Sequence, residues 1–124
     1  HAASAHHGSH MNIERIGVGP RMSQAVKAGS LVFLAGQVAD HGGTVGEQTA
    51  AILAKIDALL AKAGTDKTRI LSANIWLADM NTFSQMNAVW DQWVAVGHTP
   101  ARATVEAKLA NSAYRIEIVV VAAA

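Results

Sequence analysis

The 124-residue chain contains no cysteine. That excludes a disulfide framework, a cysteine-ligated zinc site and a thiol nucleophile. No apolar run approaches the roughly 18 residues that suggest a membrane span, so no membrane partner is expected. Charge is sparse and balanced: ten Lys+Arg against nine Asp+Glu give a formal net charge of +1. Nucleic-acid binding is dominated by phosphate neutralisation, and this balance offers no basic footprint for it. Gly17-Val18-Gly19 lacks the third glycine of a dinucleotide loop. No Gly-rich run leads into Gly-Lys-Ser/Thr, and there is no Gly-x-Ser-x-Gly elbow.

Residues 1–10 (HAASAHHGSH) read as the remnant of a vector-derived histidine tag rather than as a secretory signal, because they hold no apolar segment. Four of the six histidines fall there: His1, His6, His7 and His10. Only His41 and His98 remain, too few for a histidine-based metal site on one chain, so no metal is expected. Residues 11–124 read as one domain. The chain is 51% hydrophobic and 15% charged, against a typical charged fraction of roughly 25%. A domain this small has much surface to cover, so the shortage of charge suggests apolar surface shared with another copy of the chain. An alanine-rich monomer is the plainer alternative. The lack of cysteine and of a signal fits a cytoplasmic location.

Periodicity gives the element order β-β-β-α-β-α-β-β. Residues 12–18, 23–27 and 31–35 read as strands, the third ending at Gly36. Thr44 and Glu47 form a capping box that opens a helix. Its apolar stripe is Ile52, Ile56, Leu59, Leu60 and Ala63, and Gly64 takes the left-handed position that ends it. Residues 70–77 are β-rich. Asp79 or Asn81 caps a second helix bearing Phe83, Met86, Trp90, Trp93 and Val94, closed by Gly97. Residues 101–108 alternate, and 115–123 are nearly continuously apolar, the pattern of a strand buried on both faces. The fold class is α+β, with helices on one sheet face. The other face needs a cover, which again points to an oligomer.

The pair that speaks most to chemistry is Arg102 and Glu117. Joined by a short polar loop, the last two strands read as an antiparallel hairpin that sets Arg102 opposite Glu117 on one face. Arginine is a planar fork suited to a substrate carboxylate. Glutamate beside it can orient and deprotonate water, given the burial that flanking Ile116 and Ile118 suggest. A plain cross-strand ion pair explains the same spacing. Asn87 sits on the second helix, facing either a pocket or solvent. His98 is an acid–base candidate or a partner for a helix terminus, and Glu106 reads as a rim charge. Trp76, Trp90 and Trp93 read as core or interface aromatics.

Pro100-Ala101-Arg102-Ala103-Thr104-Val105, followed by Ile116-Glu117-Ile118, resembles the PAR[ST]xV…[IV]EI signature of the Rid (YjgF-type) family of reactive-intermediate deaminases. Gly19-Pro20, Ser23-Gln24-Ala25-Val26, Gly36-Gln37, Gln48-Thr49, Leu77-Ala78-Asp79-Met80 and Phe83 through Asn87 extend the resemblance over residues 16–122. It implies a chorismate-mutase-like fold with a mixed six-stranded sheet and two helices on one face. It also implies a homotrimer whose sheets face inward as a barrel, with clefts between subunits. The implied activity is hydrolysis of enamine and imine acids such as 2-aminoacrylate to a 2-keto acid and ammonia, with no cofactor. Arg102 would bind the substrate carboxylate and Glu117 would position water. Asn87, Thr104 and Gly36 would line the pocket. The chain departs from the common GPYSQAV with Gly19-Pro20-Arg21-Met22-Ser23-Gln24-Ala25-Val26. Met22 falls where a pocket tyrosine is usual, Ala35 where a serine is, and Thr104 where a cysteine is. These changes alter the pocket wall and leave the carboxylate clamp intact.

Two further functions remain open at this level. One is a non-catalytic trimer that captures a small carboxylated metabolite through the same arginine. The other is the single-stranded RNA binding or cleavage attached to relatives, which the charge balance disfavours.

Overall fold

The computed structural model describes residues 11–124, so the reading of residues 1–10 as a tag remnant lies outside the described residues. Strands β1 (Ile13–Val18), β2 (Ser23–Ala28) and β3 (Leu31–Leu34) precede helix α1 (Val45–Lys62). Strand β4 (Ile70–Leu77), helix α2 (Phe83–Trp93), β5 (Ala101–Glu106) and β6 (Ile116–Ala123) follow. The strands form one mixed sheet in the order β1-β2-β3-β6-β4-β5. Only β4 and β5 pair in parallel; every other neighbouring pair is antiparallel. This is the six-stranded, two-helix architecture expected from the sequence.

Alternation along the strands sorts the side chains. Ile116, Ile118, Val120 and Ala122 of β6 are buried beside Val32, Leu34, Ala73, Ile75 and Leu77. These meet Ile52, Leu53, Ile56 and Leu60 of α1 and Met86 and Trp90 of α2 in one core. The opposite face carries Glu117, Val119, Val121 and Ala123, which are only half-buried, so β6 is not enclosed on both sides within the chain. Phe33, 42% exposed, and Val105, 50% exposed, lie on that same open face.

Helix α1 starts as its sequence dictates. The Thr44 hydroxyl accepts from Glu47 N at 3.1 Å, and the Glu47 carboxylate accepts from Thr44 N at 2.9 Å. It ends at Ala63, with Gly64 at φ +82°. The Thr44 backbone N–H, and then its hydroxyl, hold the Glu47 carboxyl below its ordinary value of 4.5. A carboxylate lowered in this way stabilises the fold above its unfolded value, and that contribution is lost as pH falls through the folded value. Thr44→Ala is expected to cost about 1 kcal/mol at neutral pH. The backbone N–H, the larger cause of the lowered Glu47 value, remains in that variant, so most of the loss of stability below pH 4.5 should persist, both read from urea midpoints across a pH series.

Helix α2 differs from expectation at its end. Asp79 caps a 3₁₀ turn at residues 80–82 that runs straight into it, accepting from Asn81 N at 2.9 Å. The helix stops at Trp93, and Val94 is already extended. Lys67 Nζ donates to the Trp93 carbonyl oxygen at 2.6 Å and so satisfies a terminal acceptor. Gly97, at φ +79°, belongs to the following turn, in which His98 N donates to Ala95 O.

Candidate functional site

The last two strands are not a hairpin. Residues 107–115 carry the chain past β4, so β5 and β6 flank that strand instead of pairing with each other. Arg102 aligns with Ala73, whereas Glu117 aligns with Trp76. Ala73 points into the core and Trp76 points away from it, so Arg102 and Glu117 lie on opposite sheet faces. The expected contact between them within one chain, and with it the plain ion-pair alternative, is thereby corrected. Ile116 and Ile118 also face the core, away from Glu117, which is half-buried beside Trp76.

Two clusters replace the single expected one. In the first, Arg102 projects from edge strand β5 toward α2. Its Nη1 donates to Asn87 Oδ1 at 2.8 Å. The guanidinium carbon lies 5.2 Å from the Trp90 ring centroid and 5.9 Å from that of Phe83. Asn87 therefore faces the arginine. Two residues along the strand, the buried Thr104 hydroxyl has no hydrogen-bond partner. Arg102 itself stays exposed, with donors unused.

In the second cluster, the Glu117 side chain lies against Gly36. A Cβ at residue 36 would overlap the Glu117 carboxylate where it lies, so the lack of a side chain lets the two approach this closely. Trp76, Lys108, Leu109 and Glu117 line a cavity of about 240 Å³. Gly36 also borders a cavity of about 490 Å³ with Met22, Gln24, Gln37, Lys55 and Lys62. Ala35 fixes this corner through its backbone. Its N–H donates to Gln24 O at 2.9 Å, and its carbonyl accepts from Gln37 Nε2 at 3.0 Å. Asp40, on the same cavity, is held below the usual carboxylate range by the hydrogen bond and charge of Lys55, 2.8 Å away.

Met22, Ala35, Gly36 and Glu117 thus come together, as do Asn87, Arg102 and Thr104, and the two groups stay apart. Glu106 is more than a rim charge, because its carboxylate accepts from Met80 N at 2.9 Å and ties β5 to the start of α2. His41 and His98 are exposed, and their rings hydrogen-bond only to backbone carbonyls one and two residues away. Among the described residues no three histidine or carboxylate side chains are grouped to hold a metal ion, and no helix is long and apolar enough to cross a membrane.

Sequence reasoning named Gln48 only within the family resemblance and missed its bonding role. Fully buried, it donates to Ala113 O at 2.9 Å and to His41 O at 3.3 Å, and accepts from Arg115 N at 2.9 Å. A polar residue one place before Thr49, inside the apolar rhythm of α1, was the available signal.

The family model described as Endoribonuclease L-PSP matches residues 13–124. A solved member of the YjgF protein family from Neisseria meningitidis is 52% identical, with a TM-score of 0.90 over 92% of this chain and 96% of that one. The chain belongs to the YjgF/Rid family. The RutC family protein YoaB of Escherichia coli K12 is 45% identical over 113 residues, 91% of this chain and 99% of the relative. A Rid-family structure from Yersinia pestis is 30% identical, with a TM-score of 0.80 over 86% of this chain and 90% of that one. YjgF/Rid membership supports a deaminase-type or small-molecule-binding role.

Proposed function

We propose that the chain is a cofactor-independent hydrolytic deaminase of reactive enamine and imine acids of the 2-aminoacrylate type. The observation that carries this reading is the Arg102 guanidinium, bonded to Asn87, set over two aromatic rings and still exposed at a sheet edge. Such a fork matches a carboxylate in two parallel hydrogen bonds. Glu117 orients a water molecule and takes its proton as the C–O bond forms at the imine carbon. The C=N electron pair moves to nitrogen, which gains a proton. Collapse of the carbinolamine expels ammonia and leaves the 2-keto acid. An imine is electrophilic once protonated, so anchoring plus a positioned water supplies most of what the reaction needs.

Because Arg102 and Glu117 occupy opposite sheet faces, a site holding both draws them from two copies. A homotrimer with its open sheet faces inward does this, with Met22, Ala35 and Gly36 on the Glu117 side and Asn87 and Thr104 on the Arg102 side. The apolar open face around Phe33, Val105, Val119 and Val121 supports such an assembly. The net charge of +1 gives little support to the ribonuclease named in the family description.

The test generates 2-aminoacrylate in situ with a serine dehydratase and follows pyruvate release. Acceleration by the wild type is the expected result, and none from a well-folded protein overturns the enzymatic reading. Tight 2-keto acid binding without turnover then favours a non-catalytic module, since the Arg102 cluster is a carboxylate receptor without Glu117.

A further inference from the structure

Phe83, Asn87 and Trp90 recur at helical spacing on α2, so one stripe of the helix faces β5. All three converge on the Arg102 guanidinium. Trp90 is only 5% exposed and is backed by Trp93, whose ring centroid lies 5.4 Å away at a 54° tilt. Trp93 is itself fixed. Its Nε1 donates to Asp57 Oδ2 on α1 at 2.9 Å, and the Lys67 ammonium sits 5.3 Å over its ring. A row of cation, two indoles and cation therefore runs from Lys67 to Arg102. Asn87 engages one Nη1 proton and leaves the rest of the fork available.

We propose that Trp90, with Phe83 beside it, is a positioning residue of the Arg102 site that holds the guanidinium plane ready before a carboxylate arrives. The proposal rests on the reading of Arg102 as the carboxylate anchor. An exposed arginine without such support samples many rotamers, and ordering it on binding weakens affinity. A preset anchor acts equally on bound substrate and transition state, so its loss appears in Kd and KM and leaves kcat in place.

The experiment titrates wild type, Trp90→Phe, Trp90→Leu and Phe83→Leu with pyruvate by calorimetry. It also records the Arg102 Nε–Hε resonance of each unliganded protein by ¹⁵N NMR. In the wild type, aromatic ring currents displace the Hε signal upfield. Trp90→Leu is expected to lose that displacement and to bind pyruvate about tenfold more weakly, with KM raised in step and kcat nearly unchanged. Trp90→Phe keeps an aromatic face and should stay within about threefold of wild type. A folded Trp90→Leu that loses the displacement yet binds as wild type overturns the proposal. Should Trp90→Leu fail to fold, Phe83→Leu decides, because Phe83 is partly exposed at the start of α2. Unchanged pyruvate affinity in that variant overturns the proposal, and about threefold weaker binding supports it. A wild type that shows the displacement but neither binds pyruvate nor turns over 2-aminoacrylate removes the anchor reading, and the positioning role with it.

Discussion

Arg102→Ala and Glu117→Gln proteins, each nearly inactive alone, are expected to regain activity when refolded together. Loss of the charged anchor removes two charge-assisted hydrogen bonds, and kcat/KM for 2-aminoacrylate should fall by about a hundredfold or more. In the proposed mechanism, loss of the Glu117 carboxylate removes the water-orienting base, worth about a hundredfold at the least. Arg102 reaches the helix side of the sheet and Glu117 the open side, so in the proposed inter-subunit site neither variant damages the other's half. In a statistically mixed three-fold ring, each mixed trimer pairs one intact arginine with one intact glutamate. About a quarter of wild-type activity should return. Coupled pyruvate release from equimolar refolded mixtures measures it. No recovery, with trimers re-formed, would place both groups in the same chain and contradict their separation by the sheet.

Gln48→Leu should produce the largest loss of stability among single polar-to-apolar changes in α1. The leucine fills similar space but accepts nothing from Arg115 N and donates nothing to the Ala113 and His41 carbonyls. The three backbone groups are part-buried, and each loses a net hydrogen bond worth roughly 1 kcal/mol, so a total of about 3 kcal/mol is expected. For a domain of this size that lowers Tm by roughly 10 °C or more. Chemical denaturation measures the free energy, and an unchanged midpoint would show that water replaces all three bonds. Activity should fall as well, because Gln48 fastens residues 113–115, which lead into β6 and Glu117.

Much of this was legible one segment at a time. Thr44 and Glu47 announce a helix start through chemistry confined to four residues, and Gly64 announces its end in the same local way. The alternation of β5 correctly separates Arg102, Thr104 and Glu106 from Ala103 and Val105. What segments do not carry is which strand lies beside which. A polar connection between two strands suggests a hairpin, yet residues 107–115 are long enough to pass β4. With that crossing, Arg102 and Glu117 exchange a shared face for opposite ones. The Trp93 carbonyl at the end of α2 finds its partner in Lys67, from a turn far away in sequence. Gln48 entered only as part of the family resemblance, because its partners Ala113 and Arg115 lie more than sixty residues on. Spacing singled out Arg102, Glu117 and Asn87 but left a plain salt bridge open, and only the family resemblance added Thr104, Gly36, Ala35 and Met22.

The sheet order has a consequence for biosynthesis. Strand β6 is the last to emerge from the ribosome, yet it lies between β3 and β4. Without it, β1–β2–β3 and β4–β5 share no hydrogen-bonded neighbour, and β3 and β4 each present an unsatisfied edge. Leu31 then pairs with Ala123, across nearly the whole domain. Contacts of such long sequence separation close late and slowly. Edges left open meanwhile invite pairing with other chains. Insertion of β6 is thus the step at which the sheet becomes one, and mutations that weaken it should aggregate newly made protein before they impair the finished fold.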